Sequence, residues 1–142
     1  MKKVLITGVS GFLGEYLVAT APENMVLLGV YHNKKVHFDG VRTQQLYLLN
    51  FGQTQALIET FQPDAIIHAA ALSNPNYCEL HPEAAHKVNV EATQKLVKIA
   101  AQLDIPFVFT SSDLVFDGTQ PPYNEQSPLN PPSLYGRQKQ EA

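Results

Sequence analysis

Thr7-Gly8-Val9-Ser10-Gly11-Phe12-Leu13-Gly14 stops the apolar run Lys2–Ile6 and opens a segment with Phe12, Leu13, Tyr16 and Leu17 at helical spacing. A buried strand, a glycine turn and a helix in direct succession form the context in which a glycine triplet holds a diphosphate. Gly8 permits the tight turn, a side chain at Gly11 would keep the backbone from a pyrophosphate, and Gly14 lets helix and strand pack closely. The helix N-terminus then offers unpaired N–H groups and a partial positive charge. A glycine turn without a ligand is the weaker reading in that setting. The spacing is G-x-x-G-x-x-G, not G-x-G-x-x-G, which marks a subclass of dinucleotide-binding loops.

Outward from this loop, strands and helices alternate. Met25–Val30 reads as a second strand, Leu46–Leu49 as a third, and Gln53–Phe61 as a short amphipathic helix closed by Pro63. Ala65–Ile67 is a fourth strand running into Ala69-Ala70-Ala71. Pro82 suits a first helical turn, and Ala85, Val88, Ala92, Leu96 and Ile99 carry a long helix to Leu103. Ile105–Phe109 is a fifth strand. Asp113–Pro132 holds five prolines and no periodicity, a long loop of the kind that is functional or disordered. Ser133 is placed to cap a last helix from Leu134.

Short links between such elements imply an α/β fold with a doubly wound parallel sheet, the Rossmann arrangement, in one domain over residues 1–142. The expectation is of a fragment or shortened gene, truncated before the last strands and a substrate domain. Such a chain leaves an apolar sheet edge and face exposed. By itself it is expected to be inactive.

With 44% apolar residues and a net charge of −3, the chain has no basic field for a phosphate backbone, so nucleic acid is excluded as a partner. Val4–Ile6 is too short for a signal-peptide core, and nothing approaches the ~20 apolar residues of a membrane span. The single cysteine, Cys78, fits a reducing cytoplasm and is expected to be a buried structural thiol. Between Val26 and Phe38 no acidic residue stands ready for the ribose hydroxyls of NAD. The stretch reads His32-Asn33-Lys34-Lys35, where lysines suit a 2′-phosphate. NADP(H) is the preferred cofactor and NAD(H) the alternative, with a solvated basic turn as the plainer reading of the lysines.

Tyr135 and Lys139 lie four apart on the last helix, hence on one face. An ammonium beside a phenol favours the phenolate and is expected to lower the phenol's pKa. The tyrosine can then pass a proton to a carbonyl oxygen as hydride reaches the carbon. Ser112, after the fifth strand, can hydrogen-bond the same oxygen, and strand C-terminal ends are where such sheets bind ligands. Tyr-x-x-x-Lys alone is usually a surface pair; its weight comes from the glycine loop and the Ser111-Ser112 pair.

Together, Thr7 to Gly14, His68 to Ala71, Asn89 to Thr93, Ser112 and Tyr135 with Lys139 resemble the extended short-chain dehydrogenase/reductase superfamily over all 142 residues. Ser111 to Gly118, Tyr123, Glu125, Pro128 to Pro131 and Tyr135-Gly136 closely resemble its dTDP-4-dehydrorhamnose reductases. The resemblance implies Tyr135 as proton donor, Lys139 on the nicotinamide ribose and Ser112 as carbonyl partner, with Ser111 as a substitute. It implies Phe12, Leu13 and Ala69, Ala70 and Ala71 as cofactor walls, and Asn50 and Phe51 beside the adenine. That family often has Asp at the Asn50 position and Thr at the Ser112 position. The second change keeps the hydroxyl; the first leaves the adenine contact open.

The implied activity is NADPH-dependent reduction of the 4-keto group of a nucleotide-linked deoxysugar, with a nucleotide sugar as partner and a homodimer left open. Two rivals stand beside it. One is a nucleotide-sugar epimerase or dehydratase that recycles its cofactor. The other is a cofactor-binding regulatory subunit without turnover, since that of methionine adenosyltransferase resembles the same reductases. Asn89 reads equally as part of a water relay and as a helix asparagine contacting backbone. The scattered histidines suggest no zinc site, and Asp113, Asp117 and Glu125 read as solvated loop carboxylates. Phe116 and Tyr123 read as loop-packing aromatics.

Overall fold

A computed structural model describes all residues, Met1–Ala142. Five parallel strands form one sheet in the order β3-β2-β1-β4-β5. They are β1 (Lys2–Thr7), β2 (Met25–Tyr31), β3 (Arg42–Gln45), β4 (Ala65–His68) and β5 (Phe107–Phe109). The helices are α1 (Phe12–Ala19), α2 (Phe51–Phe61), α3 (Pro75–Leu80), α4 (Pro82–His86), α5 (Ala92–Gln102) and α6 (Leu134–Glu141). A π-helical stretch, Lys87–Glu91, joins α4 to α5, and a 3₁₀ turn spans Asp113–Val115. The doubly wound expectation is met, and the strand order reverses at β1, where such sheets bind their ligands.

Alternation along the strands divides the core. Leu5, Leu28 and Ile66 point to one face and pack with Leu57 and Ile58 of α2 and Leu96, Ile99 and Ala100 of α5. Val4, Ile6 and Leu27 point to the other and pack with Val9 and with Leu17 and Val18 of α1. On β5, at the edge of the sheet, Val108 pairs in register with Ile67 and is 52% exposed.

The third strand lies elsewhere than the apolar pattern implied. It is Arg42–Gln45, not Leu46–Leu49, because an edge strand bonds through its backbone to β2 alone and its side chains can stay polar. Leu46 follows as a buried core residue, its N–H bonded to the Tyr31 carbonyl at 2.8 Å. The fifth strand starts at Phe107 because Asp104 (φ 54°) reverses the chain and the Ile105 N–H closes back on Ala100. The second helix starts two residues before Gln53, with Asn50 as its cap. The long helix from Pro82 is continuous in path but carries the π stretch. Helix α3 was not anticipated: Asn74 caps it by accepting from the Tyr77 N–H at 3.0 Å, with Pro75 in its first turn.

Candidate functional site

The glycine loop is fixed by its neighbours on both sides. Gly8 and Val9 both donate to the Val30 carbonyl at the end of β2, at 3.0 and 3.1 Å. Gly8 has φ +72°, and a Cβ there would stand 2.7 Å from Ala70 backbone atoms, so only glycine lets the loop lie against the end of β4. A Cβ on Gly14 would run into the Gly8 carbonyl, which fixes how closely α1 approaches the loop. Gly11 is different: it is exposed and meets only the Gly8 carbonyl at 3.4 Å, so its face is open toward a ligand. As N-cap of α1 it supplies no side chain, leaving the first-turn N–H groups without a capping partner.

Above this loop, at the C-terminal ends of β1, β2 and β4, lies a cleft of about 770 Å³. That volume and a mostly apolar lining suit a cofactor site. It brings together Gly8, Gly11, Phe12, Leu13 and Gly14 from the loop, His32, Asn33 and Lys34 after β2, and Ala69, Ala70 and Ala71 after β4. The residues expected beside an adenine, Asn50 and Phe51, are not among its walls. Asn50 is spent on the cap of α2, its Oδ1 accepting from the Gln53 N–H at 3.2 Å, and Leu46 to Leu49 line the cleft instead. Sequence reasoning missed Tyr47, stacked on His32 at 4.6 Å, and Tyr77 of α3. Their signal is weak: Tyr47 sits in the apolar stretch Leu46–Leu49, which reads as a strand, and Tyr77 in a helix too short for periodicity. Lys34 is not idle, since its Nζ pairs with Glu15 of α1 at 3.0 Å with both side chains well exposed.

Ser112, Tyr135 and Lys139 lie outside the walls of that cleft. The Ser112 hydroxyl caps the 3₁₀ turn by accepting from the Leu114 N–H at 3.2 Å and donates to Asp113 Oδ1 at 3.2 Å. Ser133 caps α6 as expected, its oxygen accepting from the Gly136 N–H at 3.0 Å. Helix α6 then buries Tyr135, Gly136, Gln138 and Lys139. A Cβ on Gly136 would strike the Leu114 carbonyl, so glycine is what lets α6 close on the turn that carries Ser112.

The expected lowering of the Tyr135 phenol is reversed. Burial pushes it up, aided by Cys78 and Asp113. The lysine does not counter this because its ammonium is engaged elsewhere. It donates to the Thr110 carbonyl at 2.9 Å, at the end of β5, and stands 4.5 Å from the Phe109 ring centre but 5.8 Å from that of Tyr135. Burial lowers Lys139 itself to about 8. Asn89 resolves toward the backbone: its Oδ1 accepts from the Leu72 N–H (2.8 Å) and its Nδ2 donates to the Leu72 carbonyl (3.1 Å) and Gln138 Oε1 (2.8 Å).

Cys78 is fully buried, its thiol donating to the Leu72 carbonyl at 3.2 Å and pushed up by burial. Asp117 is more than a solvated carboxylate. It accepts from the Thr119 N–H and hydroxyl, the Tyr123 hydroxyl and Asn130 Nδ2, all within 3.0 Å, and is held well below the usual carboxylate range by them. Phe116 and Tyr123 stack at 4.3 Å in the same loop. No helix is long and apolar enough to cross a membrane.

The chain's likenesses to known proteins fall on this same framework. A family model described as the RmlD substrate binding domain matches residues 1–142. Methionine adenosyltransferase 2 subunit beta of Bos taurus is 39% identical over 142 residues, 99% of this chain and 41% of that protein. A probable low-salt glycan biosynthesis reductase of Haloferax volcanii is 33% identical over 136 residues, 94% of this chain and 45% of its own length. A crystal structure of a hypothetical dTDP-4-dehydrorhamnose reductase from Sulfolobus tokodaii superposes with a TM-score of 0.90 at 35% identity, covering 99% of this chain and 50% of that one. The chain thus spans less than half the length of these two curated relatives.

Proposed function

Because the chain belongs to the RmlD substrate binding domain family, we propose that it forms the nucleotide-cofactor half of an NADPH-dependent reductase acting on the 4-keto group of a nucleotide-linked deoxysugar. The observation that carries this reading is the open face of Gly11 beside an uncapped helix start at the switch point of the sheet. Those N–H groups fit a diphosphate, Gly11 keeps the cradle clear of a side chain, and Gly8 and Gly14 let the loop pack against Ala70 and α1. Phe12, Leu13 and Ala69 to Ala71 would wall the rest of the dinucleotide, with Lys34 toward a 2′-phosphate. The relatives supporting a reductase are those of Haloferax volcanii and Sulfolobus tokodaii.

When bound, NADPH supplies the hydride. Tyr135 holds its proton firmly at neutral pH, the state in which a phenol can give it to a carbonyl oxygen. For Lys139, four residues on, to favour the phenolate left behind, its ammonium would leave the Thr110 carbonyl, and the Ser112 hydroxyl would turn from Asp113 to the same oxygen. The test is incubation of the intact protein with NADPH and a dTDP-4-keto-6-deoxy sugar, following NADPH absorbance. A steady fall supports the reading, and a flat trace with bound cofactor counts against it.

A second reading is favoured by the subunit beta relatives, 39% identical in Bos taurus: a cofactor-binding regulatory subunit without turnover. The two separate at Tyr135→Phe. An enzyme loses about 10²- to 10⁴-fold in kcat when its general acid is removed; a regulatory subunit keeps its effect on its partner.

A further inference from the structure

His68 ends β4, is 1% exposed, and has a hydroxyl on each ring nitrogen. Nδ1 lies 2.6 Å from Thr7 Oγ1 and Nε2 lies 2.9 Å from Thr93 Oγ1. The hydrogen count settles who donates. Thr7 has no acceptor for its hydroxyl hydrogen but Nδ1, whereas Thr93 can turn its own to the Asn89 carbonyl, 2.8 Å away, and accept from the ring, so Nε2 carries the ring hydrogen. Nδ1 is then bare and accepts from Thr7, whose oxygen also receives the Ala70 N–H at 3.3 Å. The opposite tautomer would leave the Thr7 hydrogen without an acceptor.

These bonds belong to a longer chain. Thr7 is the last residue before the glycine loop and Ala70 is a cleft wall. At the far end, Asn89 joins Gln138 of α6, between Tyr135 and Lys139. A parallel branch runs along the backbone: the Thr110 N–H and hydroxyl both donate to the His68 carbonyl (3.2 and 3.1 Å), and the Thr110 carbonyl accepts from Lys139. The π stretch makes the first branch feasible, because its extra residue per turn sets Asn89 and Thr93 on the face toward β4 and α6.

We infer that His68 is a positioning residue which, through Thr7 and Thr93, locks the seat of the glycine loop to helix α6, so that the two halves of the proposed site open and close as one unit. The functional weight of this coupling rests on the cofactor reading above; the coupling itself does not.

Thr93→Val tests it, since it removes the hydroxyl while keeping the shape, and Thr93 is no part of the cleft wall. In the intact protein, native-state hydrogen exchange should give the amides of Gly8 and of α6 one shared opening free energy. In Thr93→Val the two should separate by at least about tenfold in exchange rate, and Thr93→Ser should rejoin them. Unchanged shared opening in Thr93→Val overturns the coupling. By calorimetry, Thr93→Val should weaken NADPH about tenfold; equal affinity in both proteins overturns the positioning role. If the wild type binds no NADPH, the cofactor reading fails and the exchange experiment still decides the coupling. Should Thr93→Val not fold, the wild-type ¹⁵N spectrum of His68 decides. A protonated Nε2 with a bare Nδ1 at neutral pH supports the network, and any other pattern sinks it.

Discussion

Protonating His68 would put a charge where the structure supplies two hydroxyls and the nearby Lys139 ammonium. Burial first and that ammonium second hold the ring at about 4, against 6.5 for a free imidazole. The unfolded chain therefore binds the proton first, and stability rises with pH between about 4 and 6.5. As pH falls through that window about 3 kcal/mol of His68's contribution is lost. The window is its own among the shifted acids, because Asp64 and Asp117 are lowered and lose their contributions only below their ordinary 3.8. Urea titrations at pH 7 and pH 4.5 should show the loss, and His68→Leu should flatten the difference. Lys34 poses a separate question at this scale. Its pair with Glu15 is exposed and worth at most about 1 kcal/mol, so a cofactor phosphate can take its place. A charge-assisted bond to that phosphate is worth roughly 1.5–3 kcal/mol. Lys34→Ala should therefore weaken NADPH by about tenfold or more in calorimetry and leave NADH unchanged; equal losses for both would remove Lys34 from the phosphate.

Among the elements, α6 depends on the absence of one methyl group. Gly136 faces the Leu114 carbonyl with no room for a Cβ, and backbone cannot move aside as a flexible side chain would. Gly136→Ala should cost about 1–3 kcal/mol as overpacking, read from the urea midpoint, and should lower kcat more than NADPH affinity by pushing α6 from the Ser112 turn. This contact also shows what a sequence can carry. Ser133 announced the start of α6, and β1, the loop and α1 declared themselves because apolar pattern, glycine and helix period change within a few residues. Strand β3 did not, since Arg42–Gln45 has no apolar face to pattern. Helix α3, with six residues, is shorter than two helical turns and reveals itself only through Asn74 and Pro75. The π stretch leaves no periodic mark, yet it decides where Asn89 and Thr93 point. The site follows the same rule. The glycine-loop residues, which a local motif carries, line the cleft, whereas Tyr47 and Tyr77 reach it only through tertiary packing.

For the whole molecule, the cleft joins segments far apart in sequence: the loop after β1, the turn after β2, the stretch before α2 and the alanines after β4. A ligand filling it would bind the folded chain and not the unfolded one, because these walls are brought together only by the strand order. Stability then rises by mass action, by about 2.7 kcal/mol at a hundredfold excess over Kd. For a chain of this size that corresponds to a rise in melting temperature on the order of 10 °C. NADPH should reach this shift at lower concentration than NADH if Lys34 meets the 2′-phosphate, and nicotinamide mononucleotide, lacking the adenosine half, should fall well short of both. The comparison discriminates between scales as well. A shift with every nucleotide alike would mean that only the nicotinamide ribose phosphate common to all three is recognised. No shift with any of them, in a protein that melts cooperatively, would mean that the open face of Gly11 serves something other than a dinucleotide.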